Sequence, residues 1–120
     1  MISKRSAIKK ILETKIPVYN SGVLEKDAKQ KPPFLILEMT GERQAMKKHL
    51  ITFSVFIYAP LKAVTMVDLI EKEVRRLLHK KRIECDEGAF YVEGAKGGAD
   101  FVNEKIGAVG KVIEFTIPYI

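Results

Sequence analysis

The chain has 120 residues, 47% of them hydrophobic and 30% charged, which is apolar enough to bury a core but too short for two ordinary domains, so a single domain spanning 1–120 is expected. A formal charge of +6 and a pI near 9.4 favour anionic partners, yet the cations fall in small groups with acids interspersed among most of them, the pattern of a solvated surface. The single cysteine, Cys85, excludes an internal disulfide and fits a reducing compartment.

Taken from the N-terminus, Ser3 or Ser6 can cap a short helix in which Ala7, Ile8, Ile11 and Leu12 recur at three- and four-residue steps. The basic start followed by alternating polar and apolar residues lacks the apolar stretch of an export signal. Pro17 is expected to end the helix, Val18 and Tyr19 to run extended, and Asn20, Ser21 and Gly22 to turn. Residues 25–33 are charged and close on a double proline, which predicts a loop. Residues 34–39 form an almost continuous apolar strand, and residues 40–44 are expected to break it.

From His49 to Tyr58, Ile51, Phe53, Val55 and Ile57 alternate with Thr52, Ser54, Phe56 and Tyr58, the signature of a central antiparallel strand that Pro60 stops. It sits a short polar linker away from the preceding strand, so a hairpin is expected. Thr65 as N-cap with Asp68 three residues on predicts a second helix, with Val67, Ile70, Val74, Leu77 and Leu78 on its apolar stripe. Arg75, Arg76, Lys80, Lys81 and Arg82 are placed in its last turns, where cations complement the negative helix end.

Residues 89–93 read as a short strand and residues 94–98, rich in glycine, as a loop; residues 100–106 are compatible with a strand or with irregular chain. In the closing segment, residues 111–119, Ile113, Phe115, Ile117 and Tyr119 alternate with Val112, Glu114, Thr116 and Pro118, which predicts a strand. The expected architecture is α+β: a single antiparallel or mixed sheet of about four or five strands with two helices packed on one face. The longest apolar run, around residues 50–61, is interrupted by Thr52, Ser54 and Pro60 and is far short of the ~20 residues of a membrane span.

Chemistry-bearing patterns are weak. His49, His79 and Cys85 do not reproduce zinc-ligand spacing, so no metal site is expected. No serine lies in a nucleophile elbow, and Cys85 is followed by Asp86 and Glu87, which disfavour a thiolate. Glu71 and Glu73 point to different helix faces, leaving no acid and base pair. No catalytic or cofactor-binding residue is therefore expected, and the reading is non-enzymatic. Residues 94–100 lack the phosphate-cradle order, and Gly107 to Gly110 match GxxG, as in KH domains, but lead into a strand where that module needs a helix. Phe53, Phe56, Tyr58, Phe90 and Tyr91 on predicted strands of a basic protein keep nucleic-acid binding as the alternative, although Phe53 and Phe56 face opposite sides.

Across nearly the whole chain, the helix around residues 6–12, the segments 16–19 and 32–37, the strand 49–58, the helix from Thr65 through 68–74 and the closing 111–119 match in order and length. In this the chain resembles the small tail terminator, or tail-completion, proteins of long-tailed bacteriophages and prophages. The resemblance implies a non-enzymatic homo-oligomeric ring, commonly a hexamer, that caps the tail tube protein and joins it to the head connector protein. It implies assembly in the bacterial host cytoplasm and residence in the virion tail, with no membrane and no cofactor. Recognition would then lie in polar insertions between secure elements: Glu42, Arg43, Gln44, Lys47 and Lys48 in one loop, Lys96 and Asp100 in a second, and residues 25–31 in a third.

Overall fold

A computed structural model describes residues 4–13, 16–20, 33–45, 48–86, 88–104 and 107–119. They form two helices, α1 (Lys4–Leu12) and α2 (Val64–Leu78), and seven strands. The strands are β1 (Val18–Asn20), β2 (Phe34–Ala45), β3 (Lys48–Pro60), β4 (Arg82–Cys85), β5 (Gly88–Tyr91), β6 (Glu93–Asn103) and β7 (Ala108–Tyr119). A five-stranded sheet in the order β1-β2-β3-β7-β6 is mixed, because β1 pairs parallel with β2 while every other neighbour is antiparallel. The α+β expectation with two helices and a main sheet of five strands therefore holds, and β4 and β5 add a second, two-stranded sheet that was not expected.

One side of each strand builds the core. Leu35 and Leu37 of β2, Phe53, Val55 and Ile57 of β3, and Ile113, Phe115 and Ile117 of β7 are buried together with Ala7, Ile8 and Leu12 of α1 and Val67, Ile70, Val74 and Leu78 of α2. Ile83, Phe90 and Val92 join the same cluster, so the β4-β5 hairpin packs with the helices. At ~25 cal/mol per Å² of apolar surface removed from water, each fully buried Phe, Leu or Ile contributes roughly 1.5–3 kcal/mol. Phe53 and Phe115, cross-strand partners in the ladder, stack with ring centroids 5.1 Å apart.

Several local expectations are corrected. Helix α1 ends at Leu12, before Pro17, and its last turn is extended by the Glu13 amide donating to the Lys9 carbonyl at 2.9 Å. Ser6 lies inside α1, while Ser3 and residues 21–32 are outside the described residues. Thr65 is inside α2: the N-cap is Ala63, with no side-chain cap hydrogen bond, because the turn after Pro60 closes through the Ala63 amide to the Pro60 carbonyl at 2.8 Å. At the other end α2 stops at Leu78. Lys80 takes a left-handed φ of 57° and donates its amide to the Val92 carbonyl, and Arg82 already belongs to β4, so only Arg75 and Arg76 occupy the last helical turn. The basic cluster read as helical is thus split between a helix end, a turn and a strand. β3 stops at Pro60 as expected, with Pro60 itself the last paired residue, opposite Ala108.

Candidate interaction surface

The largest corrections fall on the residues expected to carry recognition. Glu42, Arg43 and Gln44 are not a loop: β2 runs through them, paired with Ile51, Leu50 and His49, and Lys48 begins β3 opposite Ala45. A register shift between Met39 and Gly41 absorbs the extra residue, so the turn-forming Gly41 bends the ladder without ending it. Because β3 is held on its other side by β7 as far as His49 opposite Tyr119, the ladder outweighs the weak local strand preference of this segment. Lys47 and residues 25–31 lie outside the described residues.

Lys96 and Asp100 are likewise on a strand, β6, opposite Glu114 and Lys111. Two register shifts, between Glu93 and Lys96 and between Gly97 and Asp100, let this glycine-rich stretch follow β7 as a bulged edge. The two proposed patches are not brought together. β2 and β6 are separated by β3 and β7, which at ~4.8 Å per strand places them about 14 Å apart across the sheet.

On the helix side of the sheet, β6 and β7 meet α2 through an ionic network that sequence reading missed. Lys111 Nζ donates to Glu71 Oε1 at 3.0 Å, and Arg75 Nε donates to Glu71 Oε2 at 3.0 Å. Asp100 Oδ1 lies 3.8 Å from Lys111 Nζ. Burial pushes the Glu71 carboxyl upward, but the hydrogen bonds from Lys111 and Arg75 and their charges outweigh it and hold the group below the ordinary carboxylate range. The same bond from Lys111 to Glu71 raises the lysine ammonium against partial desolvation. Asp100, expected as a partner contact, is thereby tied to the fold by its ladder position and by Lys111. No signal along the chain could have joined Glu71 to Lys111, 40 residues away.

The opposite side of the sheet carries no described helix. There Tyr19, Phe34, Tyr58 and Phe101 form a row of rings: Tyr19 and Phe34 edge to face at 5.7 Å, Phe34 and Tyr58 stacked at 4.7 Å, Tyr58 and Phe101 edge to face at 5.0 Å. Phe56 lies 6.5 Å from Phe101. The row crosses β7 at Gly110, the ladder partner of both Tyr58 and Phe101. A Cβ at Gly110 would run into the Ile57 carbonyl oxygen and the Phe101 ring, so glycine is what lets that ring lie over the strand. Strand parity indeed separates Phe53 in the core from Phe56 and Tyr58 on this side. Burial raises the Tyr58 phenol above its ordinary range. Phe34 is almost fully buried, while Phe56, Tyr58 and Phe101 are half-buried.

Elsewhere His79, Lys80, Tyr91 and Glu93 line an open recess of about 490 Å³, each of them exposed. Among the described residues no group of three or more His, Cys, Asp and Glu side chains converges as a metal site would require. Cys85 is half-buried, with Sγ 3.3 Å from the Gly88 carbonyl oxygen at the β4-β5 turn. No described helix is long and apolar enough to cross a membrane.

What the described residues define is an α+β fold with a main sheet of five strands and an aromatic sheet face. Comparison with protein-family models and with curated proteins finds no match to this chain.

Proposed function

We propose that the protein is a non-enzymatic phage tail assembly protein that caps the tail tube as a homo-oligomeric ring and joins it to the head connector. The observation that supports this reading most is the lopsided construction of the sheet. Both helices and the β4-β5 hairpin pack on one side, while among the described residues no strand lies outside β6 or beside β2 beyond Leu37. Such edges present unpaired backbone groups, the usual raw material for joining one chain to another. The reading also draws on the resemblance of the sequence to tail terminators.

Light scattering coupled to size exclusion, over a range of concentrations and salt, combined with addition of the chain to purified tail tube protein, tests the proposal. The expected results are a ring-sized species in solution or on the tubes, and tubes of arrested length. Tubes that elongate unchanged with the chain present, and bind none of it, would sink the reading. The alternative, a small basic nucleic-acid-binding module, draws on the row of half-buried rings. It predicts affinity for single-stranded nucleic acid that falls steeply with salt.

A further inference from the structure

Among the described residues Ser54 is the buried polar side chain, 6% exposed, and its hydroxyl has no hydrogen-bond partner there. A buried hydroxyl left unpaired carries a desolvation cost and calls for an explanation. Strand parity sets Ser54 on the helix-free side of the sheet, with Phe56 and Tyr58, on the central strand β3. Its two ladder partners are Glu38 on β2 and Glu114 on β7, and parity places both on that same side. Neither carboxylate takes part in a described ion pair or hydrogen bond. Two unpaired acids thus flank an unsatisfied hydroxyl in a chain whose formal charge is +6. Two residues along each strand in one direction, Ile36, Phe56 and Val112 form an apolar row; in the other, Thr52 pairs with Thr116.

We propose that Glu38, Ser54 and Glu114 form a binding site for the guanidinium of an arginine side chain presented by a partner protein, with its methylene stem along Phe56 and Val112. Directly paired residues of neighbouring strands hold their Cβ atoms ~4.5–5.5 Å apart, so those of Glu38 and Glu114 stand about 10 Å apart with Ser54 between them. A guanidinium bonded on two sides at ~2.8 Å needs carboxyl carbons about 8 Å apart, which each glutamate reaches by leaning about 1 Å toward Ser54. The planar group carries five N–H donors and no acceptor, so both carboxylates and the serine oxygen can accept from it at once. A lysine ammonium is a compact point charge and spans less of this gap. A calcium ion asks for six to eight oxygen ligands, and this triad supplies three side chains. The site depends on the sheet alone, so its test stands apart from the tail reading.

The test is a two-dimensional NMR titration of the full chain with N-acetyl-arginine amide, with the neutral isostere N-acetyl-citrulline amide as control. Saturable shifts centred on Ser54, Phe56 and Glu114 are expected, with a Kd on the order of millimolar and binding of the citrulline compound at least about tenfold weaker. Glu38→Gln and Glu114→Gln should each weaken arginine binding by about fivefold to tenfold. Ser54→Ala should weaken it by about threefold yet melt no lower than wild type, because the orphan hydroxyl is gone; a serine kept for the fold would lower the melting temperature instead. The proposal is overturned by shifts that fail to saturate below about 50 mM, by equal binding of the citrulline compound, by glutamine variants that bind as wild type does, or by calcium chloride shifting the same residues at lower concentration than arginine.

Discussion

Replacing Gly110 with alanine should destabilise the fold sharply, although the change adds one methyl group. The added Cβ meets a backbone atom, the Ile57 carbonyl oxygen, and the ring of Phe101 on the outer strand. Relief requires both that β3 and β7 move apart in the middle of the sheet and that Phe101 shift from its place beside Tyr58, 5.0 Å between centroids. Overpacking of this kind costs about 1–3 kcal/mol, and losing an aromatic pair adds about 0.5–1.5 kcal/mol. A total near 3 kcal/mol, at roughly 4 °C per kcal/mol for a chain of this size, corresponds to a fall in Tm of about 12 °C. Circular dichroism on heating measures it, with Gly97→Ala as the control, since there the nearest atom is the terminal Nη2 of Arg75 at 3.3 Å, the end of a flexible side chain. In a Phe101→Ala background the Gly110→Ala penalty should shrink but persist, because the carbonyl remains. A Gly110→Ala variant that melts within about 2 °C of wild type would refute the account of the ring lying over the strand.

Glu71→Gln removes the negative charge that Lys111 and Arg75 share and turns one of its two accepting oxygens into a donor, and should cost about 1 kcal/mol at neutral pH, read from urea midpoints. A carboxyl whose folded pKa is depressed adds stability above its unfolded value, ~4.3, and that contribution is lost as pH falls through the folded pKa, so the gap between wild type and variant should close in acid. Phe90→Ala strips the β4-β5 hairpin of its buried ring and should cost roughly 3 kcal/mol in the same assay. Reversing charge at Arg43 together with Lys48 should weaken assembly, seen by light scattering, with Tm unchanged; a parallel loss of Tm would mean that these strand positions serve the fold instead.

How much was legible along the chain depended on whether the deciding interaction was local. The stripe of Val67, Ile70, Val74 and Leu78, the alternation of Phe53, Val55 and Ile57, and that of Ile113, Phe115 and Ile117 each mark one buried side of an element, while Leu77 and Ile51, expected with them, are only half-buried. Periodicity is a property of neighbouring residues, so it survives without knowledge of the partner.

Where the partner decides, local signals misled. Residues 41–44 and the glycines after Glu93 have poor strand preference, yet both stretches are strands because β3 and β7 offer them complete ladders and the bulges absorb the mismatch. The same holds for β4, which exists only opposite β5, and for the helical cations, separated because α2 yields to the turn that the Lys80 amide makes with Val92. By itself the sequence determined which sides of its elements are apolar, and hence an α+β core. The strand order of the sheet, the meeting of Glu71 with Lys111, and the single row of four rings from four strands over Gly110 came from the fold, because each of these rests on contacts between residues far apart in the chain.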